Sequence, residues 1–238
     1  MPSTHAAKNP VVLSYVALRK VVGYVALALP FAVSIPIHIS QHRLWCSISD
    51  YYFTGTRNIL VGSLCTIATF MLCCRGYDWR DELASYLSAI CAIGVAFCPT
   101  PPDCCIQRPP FSSPGYCWHY VFAGTLFLTL AVFCLFLFTR TSTPEGKTPR
   151  KKIRNGFYIG CGCAILASMA LIEIADRLDW QPFFGHLHPT FVFESTSLFA
   201  FGLAWLIKGE GVFFLNDRHP VPTHTRTTDK LLSLSTPP

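Results

Sequence analysis

Six long apolar stretches separated by short polar ones dominate the pattern of this chain. They lie near residues 21–39, 57–74, 83–99, 119–138, 156–175 and 189–207. Each approaches the roughly 20 apolar residues that a helix needs to cross the hydrocarbon core of a bilayer. Alternating barrel strands are absent, and backbone groups in lipid must be paired within their own segment. The pattern therefore predicts an all-α fold, a polytopic transmembrane bundle of six helices.

The two ends of the chain differ from this apolar middle. They are polar and rich in Thr, Ser, Pro and His, a composition that buries too little apolar surface to fold alone. We expect an N-terminal arm over 1–18 and a C-terminal tail over 209–238, both without stable structure. The transmembrane domain between them is expected to cover 19–208.

The Lys and Arg residues predict the orientation of this domain. Most fall in the N-terminal arm, the loops after the second and fourth segments, and the tail, which share one side of a six-span arrangement. The other side holds only Arg43, Arg57, Arg108 and Arg177. The positive-inside rule therefore predicts a multi-pass protein of the cell membrane with both termini in the cytoplasm.

Composition narrows the classes of partner. Hydrophobic residues make up 51% of the chain and charged residues 13%, about half the charged share of a soluble domain. The net charge of +6 could indicate a nucleic-acid binder, but the positive residues cluster between apolar stretches rather than along a basic groove. Membrane lipids are the predicted partners, and nucleic acid is not.

Polar residues at the outer ends of the predicted helices need a separate explanation. The stretch "SISDYYFTGTRN" at 47–58 is crowded with hydroxyls, and "FVFESTSLFAFGLAW" surrounds one carboxylate with apolar residues. An ionisable side chain at membrane depth costs about 2.5–3.5 kcal/mol unless it is paired or faces a wet cavity. We therefore predict an outward-facing polar pocket whose candidate lining residues are Ser47, Ser49, Asp50, Arg57, His119, Glu173 and Glu194.

Each of these residues also has a plainer interpretation. Asp50 could cap the second helix or pair with Arg57, and His119 could be an interfacial histidine beside Trp118. Glu173 lies close enough to the predicted boundary to reach water.

Imidazole and carboxylate groups near this end raise the question of a metal. Three protein ligands and a water would make a hydrolytic Zn²⁺ site. The candidate ligands are His119, His186, His188 and Glu194, although no HExxH helix fixes two of them on one face. A metal-free acid–base pair of Asp50 and His119 is the alternative.

Cysteines and small residues add two further expectations. In an oxidising compartment, Cys104 or Cys105 could form a disulfide with Cys117 and tie down the proline-rich loop between them. In the fifth segment, "GFYIGCGCAILASMA", small residues recur every four positions from Gly156 to Ser168. This spacing predicts close packing against another helix, and leaves a ligand groove or a dimer seam as alternatives.

Four stretches carry a resemblance to known membrane proteins: "SISDYYFTGTRNILVGSLCTIATFMLCCRGYD", "FCPT", "WHYVFAGTLFLTLAVFCLFLFTR" and "FESTSLFAFGLAWLIKG". With them the chain resembles an uncharacterised family of small bacterial-type six-helix integral membrane proteins. The Ser-x-Ser-Asp element before a helix is more distantly similar to the Frag/DRAM/Sfk membrane family, which is linked with lipid handling. A weaker likeness is to the ceramidase and progestin-receptor superfamily of membrane hydrolases, whose sites use Ser, Asp and His around a metal and whose members usually have seven helices.

Three functions follow from these observations. The leading hypothesis is a membrane protein that binds or senses a lipid or small ligand in the outward-facing pocket. A metal-dependent hydrolase of a lipid amide or ester is the first alternative, and a small-solute transporter is the second. A transporter is expected to carry polar groups through the midplane and to show matching halves, which this sequence lacks. Whether the protein is an enzyme stays open.

Overall fold

The structure, a computed structural model, describes residues 10–73, 79–99, 114–140, 149–178, 180–185 and 187–209, with only the backbone described for 10–15, 114–117 and 181. These residues form helices and the turns between them. The helices are α1 (Pro10–Gln41), α2 (Arg57–Cys73), α3 (Trp79–Phe97), α4 (Pro114–Val132), α5 (Pro149–Arg177), the single turn α6 (Gln181–Phe184) and α7 (Pro189–Lys208). A 3₁₀ helix at Ser49–Phe53 precedes α2, and a π-helical turn at Phe133–Leu137 ends α4.

Six of these helices pack side by side in a closed ring. The neighbours around it are α1, α2, α3, α4, α5 and α7, and α7 returns to α1. Each helix of the ring coincides with one of the apolar stretches in the sequence. The interior is filled by aromatic and aliphatic side chains, among them Trp205 and Phe133, whose rings meet edge to face at a centroid distance of 5.4 Å.

Four helices in the described part of the chain are long and apolar enough to cross a membrane, as expected of a helical membrane protein. They span Val16–Gln41, Trp118–Leu137, Pro149–Arg177 and Pro189–Lys208. The remaining two helices of the ring, α2 and α3, are not among these four. The prediction of six crossings is thus supported for four helices, and the crossing of α2 and α3 belongs to the proposal below.

Helix α1 is longer than the first apolar stretch of the sequence. It begins at Pro10, so residues 10–18, expected to be part of an arm without stable structure, are helical. It also continues through Pro30 and Pro36, although proline removes an intrahelical donor. Near the second proline, the hydroxyl of Thr56 donates a hydrogen bond of 3.1 Å to the carbonyl of Val33 and ties the segment before α2 to α1.

Helices α1 and α7 approach each other closely at two glycines. A Cβ atom on Gly202 would lie 2.9 Å from the carbonyl oxygen of Gly23 and 2.8 Å from Cγ of Leu27. Small residues allow this contact, as they do between membrane helices in general. The contact fixes the position of α7 relative to α1. We call the end of the bundle at the N-terminus of α7, next to the 46–50 turn, the Asp50 end, and the end at its C-terminus the Lys208 end.

Candidate functional site

The turn at 47–50 is held by a reciprocal pair of hydrogen bonds. The Asp50 carboxylate accepts the backbone N–H of Ser47 at 3.0 Å, and the Ser47 hydroxyl oxygen accepts the backbone N–H of Asp50 at 3.1 Å. This is the pattern of a capping box, here at the start of the 3₁₀ helix. Both side chains are buried, so the pair fixes the turn at the Asp50 end of the bundle.

The same turn is bound to the start of α7. The Glu194 carboxylate accepts the backbone N–H of Ile48 at 2.7 Å, and the carbonyl of Cys46 accepts the N–H of Phe191 at 3.0 Å. Phe191 lies in the first turn of α7, where backbone donors have no intrahelical partner. The two bonds therefore satisfy groups on both segments, and they bring Glu194 close enough to Asp50 for the carboxylates to interact electrostatically.

Tyr51 fills the space between the turn and α7. Its side chain is fully buried, its ring lies 6.1 Å from that of Phe191, and its hydroxyl accepts the backbone N–H of Trp45 at 3.3 Å. Burial raises the pKa of Tyr51 above its ordinary value, the Trp45 hydrogen bond opposes this rise, and the Asp50 charge adds to it. Tyr51 therefore stays neutral and acts as a packing residue.

His188 and Cys46 form the other side of this cluster. Nε2 of His188 lies 3.7 Å from Sγ of Cys46, and Cys46 is disulfide-bonded. Burial lowers the pKa of His188 below its ordinary value, and the nearby charge of Arg43 lowers it further. The imidazole is thus held in its neutral form at the N-terminus of α7.

The structure brings Ser47, Asp50 and Glu194 together. Three other candidates make contacts of their own, and the outward-facing pocket stays a prediction. Nδ1 of His119 lies 2.6 Å from the carbonyl oxygen of Cys98, a contact between the start of α4 and the end of α3.

The Glu173 carboxylate pairs with Arg177 at 2.7 Å on an exposed face of α5. The Arg57 guanidinium contacts the hydroxyl and ring of Tyr52, and Ser49 is partly buried in the 3₁₀ helix.

At the Asp50 end the two carboxylates of Asp50 and Glu194 lie within electrostatic reach of each other. The N–H of Ile48 provides a fixed donor to Glu194. Among the described residues, no three His, Cys, Asp or Glu side chains are arranged to hold a metal ion. His186, Cys104 and Cys105 and the side chain of Cys117 lie outside the description, so the metal site and the predicted disulfide stay predictions.

A cavity of about 610 Å³ lies elsewhere, between α5 and α7. Its lining is almost wholly apolar, and Thr196, its hydroxyl residue, donates to the Val192 carbonyl of its own helix at 2.8 Å. The stripe of small residues predicted in the fifth segment forms one wall, but Gly156 and Gly160 have open space where a Cβ would be. These two glycines are therefore not packed closely against another helix of this chain, and the ligand groove and the dimer seam both stay open as predictions.

The sequence contained a partial signal for the groove, because the regular spacing of small residues in the fifth segment was visible. The partner wall on α7 was not, because Phe199 and Leu203 look like any apolar residues of a spanning helix. The complete lining is Ile153, Gly156, Phe157, Gly160, Cys161, Ala164, Thr196, Phe199, Ala200 and Leu203.

Comparison with known proteins found no matching family model, curated protein or solved structure. The resemblances to membrane-protein families described above therefore stay predictions.

Proposed function

We propose that this protein is a six-span membrane protein with both termini in the cytoplasm, and that it binds a membrane lipid in the groove between α5 and α7. The observation that carries the proposal is that groove. Its walls are two helices that are long and apolar enough to span a bilayer. The proposal keeps lipid binding from the leading hypothesis. It places the binding site in the α5–α7 groove instead of the polar pocket predicted at the Asp50 end.

The state of the cysteines supports the orientation. Cys46, at the Asp50 end, is disulfide-bonded, whereas Cys73, at the far end of α2, is free and exposed. Disulfides persist on the oxidising side of a membrane and thiols on the cytosolic side. The Asp50 end therefore faces outward in this proposal, in agreement with the distribution of Lys and Arg.

The shape and lining of the groove favour a lipid chain. The volume of about 610 Å³ lies within the range of ligand sites, about 300–1,000 Å³. Gly156 and Gly160 are exposed and have no side chain to fill the space beside α5. The large side chains of Phe157 and Phe199 also line the groove. A hydrocarbon chain matches such a surface, because the lining of the groove is almost wholly apolar.

Gly160→Leu tests this proposal, because the new side chain enters the groove. We expect native mass spectrometry of the detergent-purified protein to show bound lipid in the wild type and about a tenfold weaker lipid affinity in the variant, equivalent to about 1.4 kcal/mol. Gly62→Leu is the matched control, since Gly62 is an exposed helical glycine on α2 with the same open space.

Three outcomes would overturn lipid binding. The first is wild-type protein without bound lipid, and the second is equal lipid loss in Gly160→Leu and Gly62→Leu. The third is a dimeric wild type that becomes monomeric in Gly160→Leu, because the groove would then be the seam between two copies of this chain.

The cluster at the Asp50 end has a separate part in the proposal. Its hydrogen bonds run between the 46–50 turn and α7, which supports a role in fastening the segment between α1 and α2 to the bundle. Binding of a ligand there stays a prediction.

A further inference from the structure

Helices α5 and α7 run in opposite directions along the groove. Nζ of Lys151, near the start of α5, lies 3.2 Å from the carbonyl oxygen of Phe138. Nζ of Lys208, the last residue of α7, lies 3.5 Å from the same oxygen. The start of α5 and the end of α7 are therefore both at the Lys208 end of the bundle.

The groove lies closer to the Lys208 end than to the Asp50 end. On α5, its lining begins at Ile153, about 6 Å from the first residue of the helix, and ends at Ala164, about 20 Å before the last. On α7, its lining runs from Thr196, about 10 Å after the first residue of that helix, to Leu203, about 8 Å before the last. In the proposed orientation the groove therefore belongs mainly to the half of the membrane that faces the cytosol.

The groove is open towards the lipid beside the bundle. Its lining residues Ile153, Phe157 and Leu203 are all exposed. The ring of Phe199 stacks on the exposed Phe31 of α1 at a centroid distance of 5.4 Å, so an aromatic surface continues the α7 wall. A lipid chain can thus enter the groove sideways, without passing through the interior of the bundle.

An exposed lysine lies at the Lys208 side of the groove. Lys152 precedes the lining residue Gly156 by four positions on α5, and residues four apart lie on the same face of a helix, one turn from each other. A lysine near the end of a spanning helix packs its methylene stem on apolar surface and keeps its ammonium group at the level of the headgroups. Lys152 is therefore next to the place where the headgroup of a lipid in the groove lies.

We propose that the groove holds an anionic phospholipid of the inner leaflet, with an acyl chain against Gly156 and Gly160 and the headgroup phosphate against Lys152. This inference rests on the proposed lipid binding and orientation, and it adds the leaflet and the class of lipid. Lysine binds phosphate as a point charge, and basic residues at the cytosolic surface attract anionic lipids. A zwitterionic headgroup carries a positive group of its own beside the phosphate, so it gains less from the lysine.

Native mass spectrometry of the detergent-purified full-length protein tests the choice of headgroup, with phosphatidylglycerol and phosphatidylcholine of identical acyl chains. We expect the wild type to bind phosphatidylglycerol about fivefold more tightly, which is the effect of one lysine close to anionic headgroups. Lys152→Gln is expected to lose this preference and to bind phosphatidylcholine as the wild type does. Lys152→Arg keeps the charge and is expected to keep the preference.

Arg80→Gln is the matched control for the loss of charge. Arg80 is an exposed cation at the start of α3, outside the groove, and its replacement changes the net charge equally. We expect this variant to keep the wild-type preference. Equal binding of the two lipids by the wild type, a preference that persists in Lys152→Gln, or an equal loss in Arg80→Gln would each overturn the inference.

Gly160→Leu separates this inference from the proposed function. If the wild type binds both lipids equally and Gly160→Leu binds both more weakly, the groove holds lipid without selecting the headgroup, and only the inference fails. If Gly160→Leu binds both lipids as the wild type does, the proposed function fails, and the inference fails with it.

Photocrosslinking of the wild-type protein in vesicles tests the direction of the bound lipid. One phosphatidylglycerol carries a diazirine at the end of an acyl chain, and another carries it beside the headgroup. We expect the chain label to react near Ala164 and Thr196 and the headgroup label to react near Lys152 and Ile153, as mass spectrometry of the adducts would show. The reverse order would place the lipid in the outer leaflet and overturn the inference.

Discussion

Two glutamates of similar predicted role have different surroundings. Glu194 lies in the first half of α7 and accepts the backbone N–H of Ile48, a contact between segments 146 residues apart in sequence. Glu173 pairs with Arg177 one turn further along the same helix, and its side chain is 51% exposed. An exposed pair of this kind contributes about 0–1 kcal/mol, so the two carboxylates are expected to differ in their effect on stability.

Replacing Glu194 by Ala is expected to destabilise the protein by about 1–3 kcal/mol, because the N–H of Ile48 loses its acceptor in a partly buried place. Glu194→Gln keeps a carbonyl oxygen and is expected to cost less. Glu173→Ala is the control, with a loss below about 1 kcal/mol. Unfolding in detergent measures all three, and equal losses for Glu194→Ala and Glu173→Ala would contradict the role of Glu194.

His188 predicts a pH dependence. Burial and the charge of Arg43 lower the pKa of His188 below its ordinary value of 6.5, so the unfolded chain binds this proton at a higher pH than the folded one. Its contribution to stability is therefore complete above the ordinary pKa and is lost as the pH falls below it. Melting temperatures measured from about pH 8 to about pH 5 are expected to fall less steeply in His188→Gln than in the wild type.

The control for this measurement is His38→Gln, at an exposed position near the end of α1. It is expected to leave the wild-type slope unchanged. If His188→Gln and His38→Gln give the same slope, His188 does not cause the pH dependence.

At the scale of helices, glycines have opposite roles in two places. Gly202 brings α7 against α1, where a Cβ would collide with the backbone of Gly23, whereas Gly160 leaves a groove open. The sequence contains both as glycines within apolar helices and does not separate them. What separates them is the neighbouring helix, which depends on the order of packing around the ring.

Gly202→Leu is therefore expected to destabilise the bundle by about 1–3 kcal/mol, since a well-packed contact cannot accept the added volume. Gly62→Leu adds the same volume where nothing lies within 4 Å, and it is expected to be neutral or stabilising because leucine favours helix over glycine. Thermal unfolding in detergent measures both. A loss in Gly62→Leu as large as that in Gly202→Leu would show that the α1–α7 contact is not as close as described.

The sequence predicts helix positions better than it predicts contacts between helices. The apolar stretch at 189–207 coincides with α7 at Pro189–Lys208 almost residue for residue, because length and hydropathy suffice to locate a spanning helix. The meeting of Asp50 with Glu194 was predicted from their shared end of the bundle. The position of His119 against the Cys98 carbonyl was not, because sequence shows the depth of a residue but not the direction in which it faces.

At the scale of the whole molecule, the ring arranges two chemically different ends. The Asp50 end combines carboxylates, a disulfide-bonded cysteine and a neutral histidine. The Lys208 end combines lysines and arginines from α1, α5 and α7. In the proposed orientation the positive end faces the cytosol. Helices α2 and α3 then cross the membrane in opposite directions.

Accessibility of single cysteines from outside intact cells tests this account most directly. The two variants are Gly55→Cys, before α2, and Arg80→Cys, at the start of α3, and both positions are exposed. Each is made in a protein whose exposed Cys73 and Cys163 are replaced by Ser. A membrane-impermeant maleimide is expected to label Gly55→Cys in intact cells and Arg80→Cys only after permeabilisation. Labelling of both in intact cells would place the two ends of α2 on one side of the membrane and contradict the six-span arrangement.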